Sequence, residues 1–396
     1  MSEIIENTET KQESAESKKI LFSAVQPSGI PTIGNYVGAI NNFVKLQDDY
    51  DCVYSIADLH TLTVKQEPAK LRRATLELMA LYLACGIDPE KCVMFVQSHV
   101  HEHAELTWIL NTITYPGELG RMTQFKDKSR AHADNVNMGL MDYPVLMASD
   151  ILLYQTSVVP VGADQKQHIE ITRDLAERFN NRYGNTFVVP EGIFPKYGAK
   201  IMSLQDPSKK MSKSDENENA YISMYDDSDA IIRKFKRAVT DSDNKIYFDA
   251  EKKPGISNLL TIYSVFSGES VEKAVERFSG SGYGDFKLKV GETVAEAIKP
   301  INQKRLELLA DKGYIESVMK KGAEKAQYMA RKTLSKVYKK RPFDERRYSA
   351  ASEVMTLALS ERSVFSAFCL IIAAASGERS IMCAFAAPRL SAPSPI

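Results

Sequence analysis

Three lysines and two serines share six residues at 209–214, in KKMSKSDEN, just after an Asp206-Pro207 turn. Ammonium groups on a mobile loop suit a triphosphate whose charge moves onto departing pyrophosphate, because such a loop grips the transition state more firmly than the ground state. Read alone, a lysine-rich turn is more often a solvated surface loop. A second stretch, QPSGIPTIGNYVG at residues 26–38, sets Gly29 and Gly34 five apart. That is the glycine spacing of a P-loop, yet Asn35 and Tyr36 stand where its Lys-Ser/Thr would be. Pro27, Ser28, Gly29 and Pro31 enforce a turn, and Gly34 lets the backbone approach a ligand where a helix begins with exposed N–H groups. The stretch reads as an anion cradle whose cations come from elsewhere, or as a plain strand-to-helix connection.

A third constellation lies in MDYPVLMASDILLY. Tyr143, Met147, Asp150 and Tyr154 are spaced by four, three and four, so a helix places them on one face. A carboxylate in such an apolar, aromatic stripe is either a capping or solvent-facing residue, or the acceptor of a site for an aromatic group bearing one N–H.

These residues need elements to hold them. ILFSAV from Ile20, CVYSIAD from Cys52 and CVMFVQ from Cys92 read as buried parallel strands, with further strands expected at SVVPV, TFVVP and KIMSL. Between the first three lie helical patterns: GNYVGAINNFVKLQDDY, with Val37, Ile40, Phe43, Val44 and Leu46 near helical spacing, and AKLRRATLELMALYLACG, stopped at Gly86. The expected class is therefore α/β: a doubly wound parallel sheet, Rossmann-like, over residues 18–207, with ligands at the carboxyl ends of its strands. A connective insert at about residues 98–142 is too short for a folded hydrolytic module.

After the lysine loop, at residues 208–217, the periodicity changes. DAIIRKFKRAV, with Ile231, Ile232, Phe235 and Val239 at three and four spacing, and ISNLLTIYSVFSG predict an all-helical domain at 218–340. Residues 1–17, acidic and poor in large apolar groups, read as a disordered extension. Residues 341–396 form an atypical tail of doubtful order; its apolar run at 364–375 is 12 residues, below the roughly 20 that span a bilayer.

Composition narrows the classes further. The 396 residues carry 51 basic and 51 acidic side chains, so any RNA contact must come from local patches rather than a global field. Five cysteines, with no C-x-x-C pair and no histidine at ligand spacing, argue against a structural metal and for a reducing cytoplasm.

Taken together, Thr32-Ile33-Gly34-Asn35 and Lys210-Met211-Ser212-Lys213-Ser214 resemble the HIGH-type and KMSKS signatures of class I aminoacyl-tRNA synthetases. The stretch PVLMASDILLYQTSVVPVGADQKQHIEITRDLAERF narrows the resemblance to the tryptophanyl-tRNA synthetases of bacterial type, over roughly residues 20–340. The resemblance implies a homodimeric, membrane-free ligase that activates L-tryptophan with ATP and Mg2+ and passes it to tRNA(Trp). Gln26, Pro27, Ser28, Gly34 and Asn35 match its first ATP contacts, Gly162, Ala163 and Asp164 its ribose segment, and Ile201 its adenine neighbour. Lys210, Met211, Ser212, Lys213 and Ser214 match the loop that closes over the phosphates. Lys210, Lys213 and the helix N–H groups of Gly34 and Asn35 are the expected catalytic groups, and the protein itself holds no metal.

For the amino acid, the resemblance makes Asp150 the acceptor of the indole N–H, with Tyr143, Met147 and Phe22 walling the ring. Gln165 joins Tyr143 at the α-amino group, and His60 matches a pocket histidine. Lys126 and Lys128 resemble additional phosphate contacts. Arg233, Lys234, Lys236, Arg237, Arg331, Lys332, Lys336 and Lys339 are candidate tRNA phosphate contacts in the helical domain. Leu106, Trp108, Ile109 and Ile113 are either dimer interface or core. A tyrosyl-tRNA synthetase, a non-charging nucleotide- or RNA-binding paralogue and an unrelated nucleotidyltransferase are the competing readings; the tryptophanyl form of the ASDILLY segment and the intact signatures count against them.

Overall fold

Alternate residues of each predicted strand enter opposite cores, which is what a sheet covered on both faces requires. In the computed structural model, which describes residues 18–131, 133–162, 165–193 and 200–340, these runs become β1 (Ile20–Val25), β2 (Asp51–Ile56) and β3 (Val93–Val96). Leu21, Tyr54 and Met94 join one cluster of buried residues, while their neighbours Phe22, Val53 and Phe95 join the other. With β4 (Val158–Pro160) and β5 (Glu191–Ile193) they form a five-stranded sheet in the order β3-β2-β1-β4-β5, all parallel. The order reverses between β1 and β4, so the crevice at the carboxyl ends of those two strands is the topological switch point.

Two expected strands differ. TFVVP is not a strand: Asn180 Oδ1 accepts from the backbone N–H of both Thr186 and Phe187, curling the chain, and β5 begins one residue after Pro190. KIMSL lies outside the sheet and pairs locally instead, Met202 bridging Lys210 across the base of the lysine loop.

The first helical region is one path in three parts: α1 (Ile33–Asn35), a π-helical turn at Tyr36–Ile40, and α2 (Asn41–Leu46). Next come α3 (Asp58–Thr61), α4 (Pro68–Ala84), α5 (Glu102–Asn111), α6 (Pro116–Leu119) and α7 (Thr123–Ala131). α8 (Met138–Leu152) and α9 (Lys166–Tyr183) flank β4. α8 ends two residues before Tyr154, which therefore occupies the following turn, although it stays close to Asp150.

The carboxyl-terminal part is helical, in α10 (Ser228–Lys236), α11 (Pro254–Ser267), α12 (Val271–Arg277), α13 (Tyr283–Ala310) and α14 (Lys312–Lys339). α10 stops before Val239, which is exposed rather than on the buried face with Ile231 and Phe235. Both buried clusters run on into these helices: Ile231, Phe235 and Val290 complete the first, and Ala326, Ala330 and Leu334 of α14 the second. α14 lies against the edge strand β3 and α5, covering an edge that would otherwise be open to pairing.

Candidate active site

β1 delivers the chain to the switch point, and the turn after it is built by Gly29, whose φ of +82° an L side chain rarely adopts. The next residues run antiparallel to 222–224: Ile33 N donates to Ile222 O at 3.0 Å and Met224 N to Pro31 O at 2.8 Å. Thr32 then caps α1. Its N–H donates to Asn35 Oδ1 at 2.9 Å while Asn35 N donates to Thr32 Oγ1 at 3.4 Å, a reciprocal box with asparagine in the place more often held by Glu or Gln. Asn35 thereby does structural work: its N–H, expected at the nucleotide, is taken up by the cap.

The two signature segments meet here. Lys213 Nζ donates to Ser28 Oγ at 3.1 Å. A β-carbon on Gly34 would lie 3.7 Å from Ile201 Cβ and 3.8 Å from Met211 Cβ, so three expected nucleotide contacts converge on one backbone. The loop base is fixed by Met211 N donating to Ile201 O at 3.0 Å and Ser203 N to Lys209 O at 2.8 Å. Burial lowers the pKa of the Lys213 ammonium. Lys210, Ser212 and Ser214 are exposed, as is Gln26, while Pro27 is buried. A cavity of about 460 Å³ opens beside this junction, with Ser28, Lys213 and Ser214 on one side and Tyr221, Tyr225 and Lys234 on the other. At the end of β4, Gly162 is exposed and its carbonyl accepts from Gln165 N at 2.9 Å; Ala163 and Asp164 lie outside the described residues.

Asp150 occupies a second, drier centre. It is 2% exposed, and three side chains from separate elements reach its carboxylate. His60 Nε2, from α3, donates to Oδ2 at 2.8 Å, while Gln97 Nε2 and His103 Nδ1 donate to Oδ1 at 2.7 and 2.6 Å. Burial alone would raise the acid's pKa, but His103 and His60 outweigh it and hold it down at about 2. His103 Nε2 in turn pairs with the Tyr154 hydroxyl at 2.7 Å. The rings of His60 and Tyr143 are 6.3 Å apart, edge to face. The Tyr143 hydroxyl pairs with His168 Nε2 at 3.0 Å and donates to Gln124 Oε1 at 3.3 Å. Lys128 Nζ sits 4.0 Å above the Tyr143 ring, so this lysine, expected among the phosphate contacts, here lies on the aromatic pocket.

The junction at the β1–β4 crevice and the Asp150 centre both lie inside the match to one known family. The family profile described as tRNA synthetases class I (W and Y) matches residues 14–299. The tryptophan–tRNA ligase of Clostridium acetobutylicum is 54% identical over 326 residues, covering 82% of this chain and 97% of that protein. The chain belongs to the bacterial-type tryptophanyl-tRNA synthetases. Solved structures agree: the tryptophanyl-tRNA synthetase of Mycoplasma pneumoniae superposes with a TM-score of 0.75 at 36% identity, covering 82% of this chain and 97% of that one. The Campylobacter jejuni tryptophanyl-tRNA synthetase, complexed with ADP and tryptophan, does so with a TM-score of 0.69 at 36% identity, covering 81% and 99%.

Within this synthetase fold, the structure brings Asp150, His60 and Tyr143 together, and separately Ser28, Gly34, Ile201, Met211 and Lys213. Phe22 is packed deeper, stacked on Tyr154 with ring centroids 5.7 Å apart, and Met147 is half-buried on the same side of the sheet. Gln165 stands at the start of α9, one turn before His168. Leu106, Ile109 and Ile113 are core, and Trp108 alone of that group is exposed, at 73%. Three of the candidate tRNA contacts are engaged within the chain: Lys234 pairs with Asp226 at 2.7 Å, Arg331 with Glu102 at 2.9 Å, and Arg237 Nη1 donates to Asn219 Oδ1 at 3.4 Å. Of the residues around Asp150, the spacing along α8 singles out Tyr154 but not Gln97 or His103. Gln97 carries no local signal, and that of His103 is the histidine pair of VHEHAELTW, whose approach to Asp150 depends on α5 folding against α8.

Proposed function

We infer that the chain is a tryptophan–tRNA ligase, which joins L-tryptophan to tRNA(Trp) at the expense of ATP. The observation that carries the site assignment is the contact of the two signature segments at the sheet's switch point, Lys213 on Ser28 and Gly34 against Ile201 and Met211. In the first step the tryptophan carboxylate attacks the α-phosphorus of ATP; its oxygen bonds to phosphorus as the bridge to the β-phosphate breaks, giving tryptophanyl-adenylate and pyrophosphate. The carboxylate is already ionised at neutral pH, so no general base is needed and the protein's work is alignment and charge stabilisation. Lys210 and Lys213 take the charge of the leaving pyrophosphate, and the N–H of Gly34 supports the nucleotide at the start of α1, where Asn35 holds the cap. Mg2+ arrives on the triphosphate as part of the substrate, where it shares that charge.

Asp150 accepts the indole N–H, and Tyr143, His60 and Met147 border the ring. In the second step a ribose hydroxyl at the 3′ end of the tRNA attacks the adenylate carbonyl and AMP leaves. Arg233, Lys236, Lys332, Lys336 and Lys339, exposed on α10 and α14, are the assigned phosphate contacts. We assign a homodimer, supported by the exposed apolar side chains of Trp108, Leu62 and Met138; Asn137 Nδ2, donating to Thr63 O at 2.9 Å, brings the last two stretches together. Among the described residues no helix is long and apolar enough to cross a membrane, and we assign the enzyme to the cytoplasm.

Pyrophosphate exchange into ATP, run with each amino acid in turn, tests the reading. Exchange with tryptophan alone is expected. Exchange with tyrosine instead, or with none, overturns it.

A further inference from the structure

The mechanism uses Asp150 but leaves unexplained why it has so many partners of its own. A carboxylate oxygen has two lone-pair sites. Oδ1 fills both, with His103 Nδ1 at 2.6 Å and Gln97 Nε2 at 2.7 Å, whereas Oδ2 carries His60 Nε2 at 2.8 Å. One acceptor site remains, on Oδ2. We propose that His103 is a positioning residue for amino-acid selection, clamping Oδ1 so that Asp150 presents a single acceptor, in a fixed direction, to the indole N–H. The proposal rests on the reading of Asp150 as the indole acceptor and deepens it.

The clamp is built rather than incidental. With Nδ1 donating to the carboxylate, the Nε2 of a neutral ring is an acceptor, and the Tyr154 hydroxyl, 2.7 Å away, donates to it. Tyr154 thus fixes the tautomer, and burial, pushing its own pKa well above the ordinary value, keeps that hydroxyl a donor. Both rings are held by the sheet: His103 stacks on Phe95 of β3 at 5.8 Å and Tyr154 on Phe22 of β1 at 5.7 Å. The backbone is tied as well, Ser149 Oγ of α8 donating to His103 O at 2.8 Å. A phenol hydroxyl and an indole N–H are both single donors, so acceptor chemistry alone separates them poorly. Direction separates them, because the two donors lie at different distances and angles from the amino acid's α-carbon.

The test compares tryptophan with β-(3-benzothienyl)alanine, an isostere in which sulfur replaces the N–H, by pyrophosphate exchange in the full chain. Asp150→Ala first establishes the acceptor: it should collapse the preference for tryptophan over the isostere. His103→Gln, whose amide reaches the position of Nε2 and not Nδ1, should then lower that preference about tenfold, mainly through the KM for tryptophan, with a far smaller change for the isostere. His103→Asn places an amide N–H where Nδ1 stood and should restore most of it. Tyr154→Phe should fall between. A His103→Gln enzyme that keeps the wild-type preference while Asp150→Ala loses it overturns the clamp alone, as does one that loses both substrates equally. An Asp150→Ala enzyme that keeps the preference overturns the acceptor reading and the clamp with it.

Discussion

Lys213 Nζ donates to Ser28 Oγ at 3.1 Å across 185 residues of sequence, closing the lysine loop onto the turn after β1. Burial already lowers the pKa of this ammonium, and the neutral hydroxyl offers it little compensation. A phosphate oxygen is the better partner, and best when pyrophosphate is leaving. Lys213→Ala should therefore lower kcat for exchange by roughly 10²–10³ while moving the KM for tryptophan by no more than about twofold. Steady-state exchange at saturating ATP reads both, and a rise in tryptophan KM with kcat intact contradicts the assignment.

Gly34 separates a folding role from a binding role. A methyl there meets Thr32 Oγ1 at 3.4 Å, Ile201 Cβ at 3.7 Å and Met211 Cβ at 3.8 Å, which are ordinary contacts. Alanine is also the better helix former by about 1 kcal/mol. Gly34→Ala should leave the melting temperature unchanged or slightly higher, yet raise the KM for ATP about tenfold on the proposed reading, in which the nucleotide packs against this backbone. Thermal unfolding and ATP titration on one preparation decide it; a loss of stability equal to the loss of activity would remove the binding role.

Asp150 makes a prediction about acid. Its folded pKa of about 2 lies below the ordinary carboxylate value of about 3.9, because His103 and His60 outweigh the opposing effect of burial. A depressed acid stabilises the fold above its unfolded pKa and loses that contribution as pH falls through the folded one. The stability gap between wild type and Asp150→Asn should shift in favour of the variant as pH falls from about 4 toward 2. Denaturant unfolding of both proteins across that range measures it, and parallel curves throughout would mean that Asp150 is not held ionised by its neighbours.

Local pattern reached the parts of this molecule that are local. The first three strands were visible as apolar runs because parallel strands are buried on both faces, and α4 because Gly86 marks its end. TFVVP misled because β propensity says nothing of a side chain such as Asn180, which captures the backbone N–H groups of the run. The meeting of the two signature segments was readable because each is short and local, and the structure brings Lys213 onto Ser28. The Asp150 centre was half-readable: spacing on α8 exposed the carboxylate and Tyr143, but His103 and Gln97 lie 47 and 53 residues away and meet it only through packing. In the helical part, periodicity reports an apolar face but not what that face covers.

α14 illustrates that last point and carries a final prediction. Its Arg331 Nε donates to Glu102 Oε1 at 2.9 Å, and its Tyr338 hydroxyl donates to Glu105, so the helix docks on the same α5 that presents His103. The pair is lopsided: the Arg331 side chain is 68% exposed, the Glu102 side chain 8%, and Glu102 Oε2 has no partner. Solvent screens the attraction itself, so what Arg331 chiefly contributes is relief for a carboxylate that water cannot reach. Arg331→Ala should then destabilise the protein by about 1–3 kcal/mol, the cost of a stranded buried polar group. Glu102→Gln in the same background removes the stranded charge and should recover most of that loss. Urea unfolding of the single and double variants settles the cause, since a double variant as unstable as Arg331→Ala would show that lost packing of the arginine stem, and not the carboxylate, sets the cost.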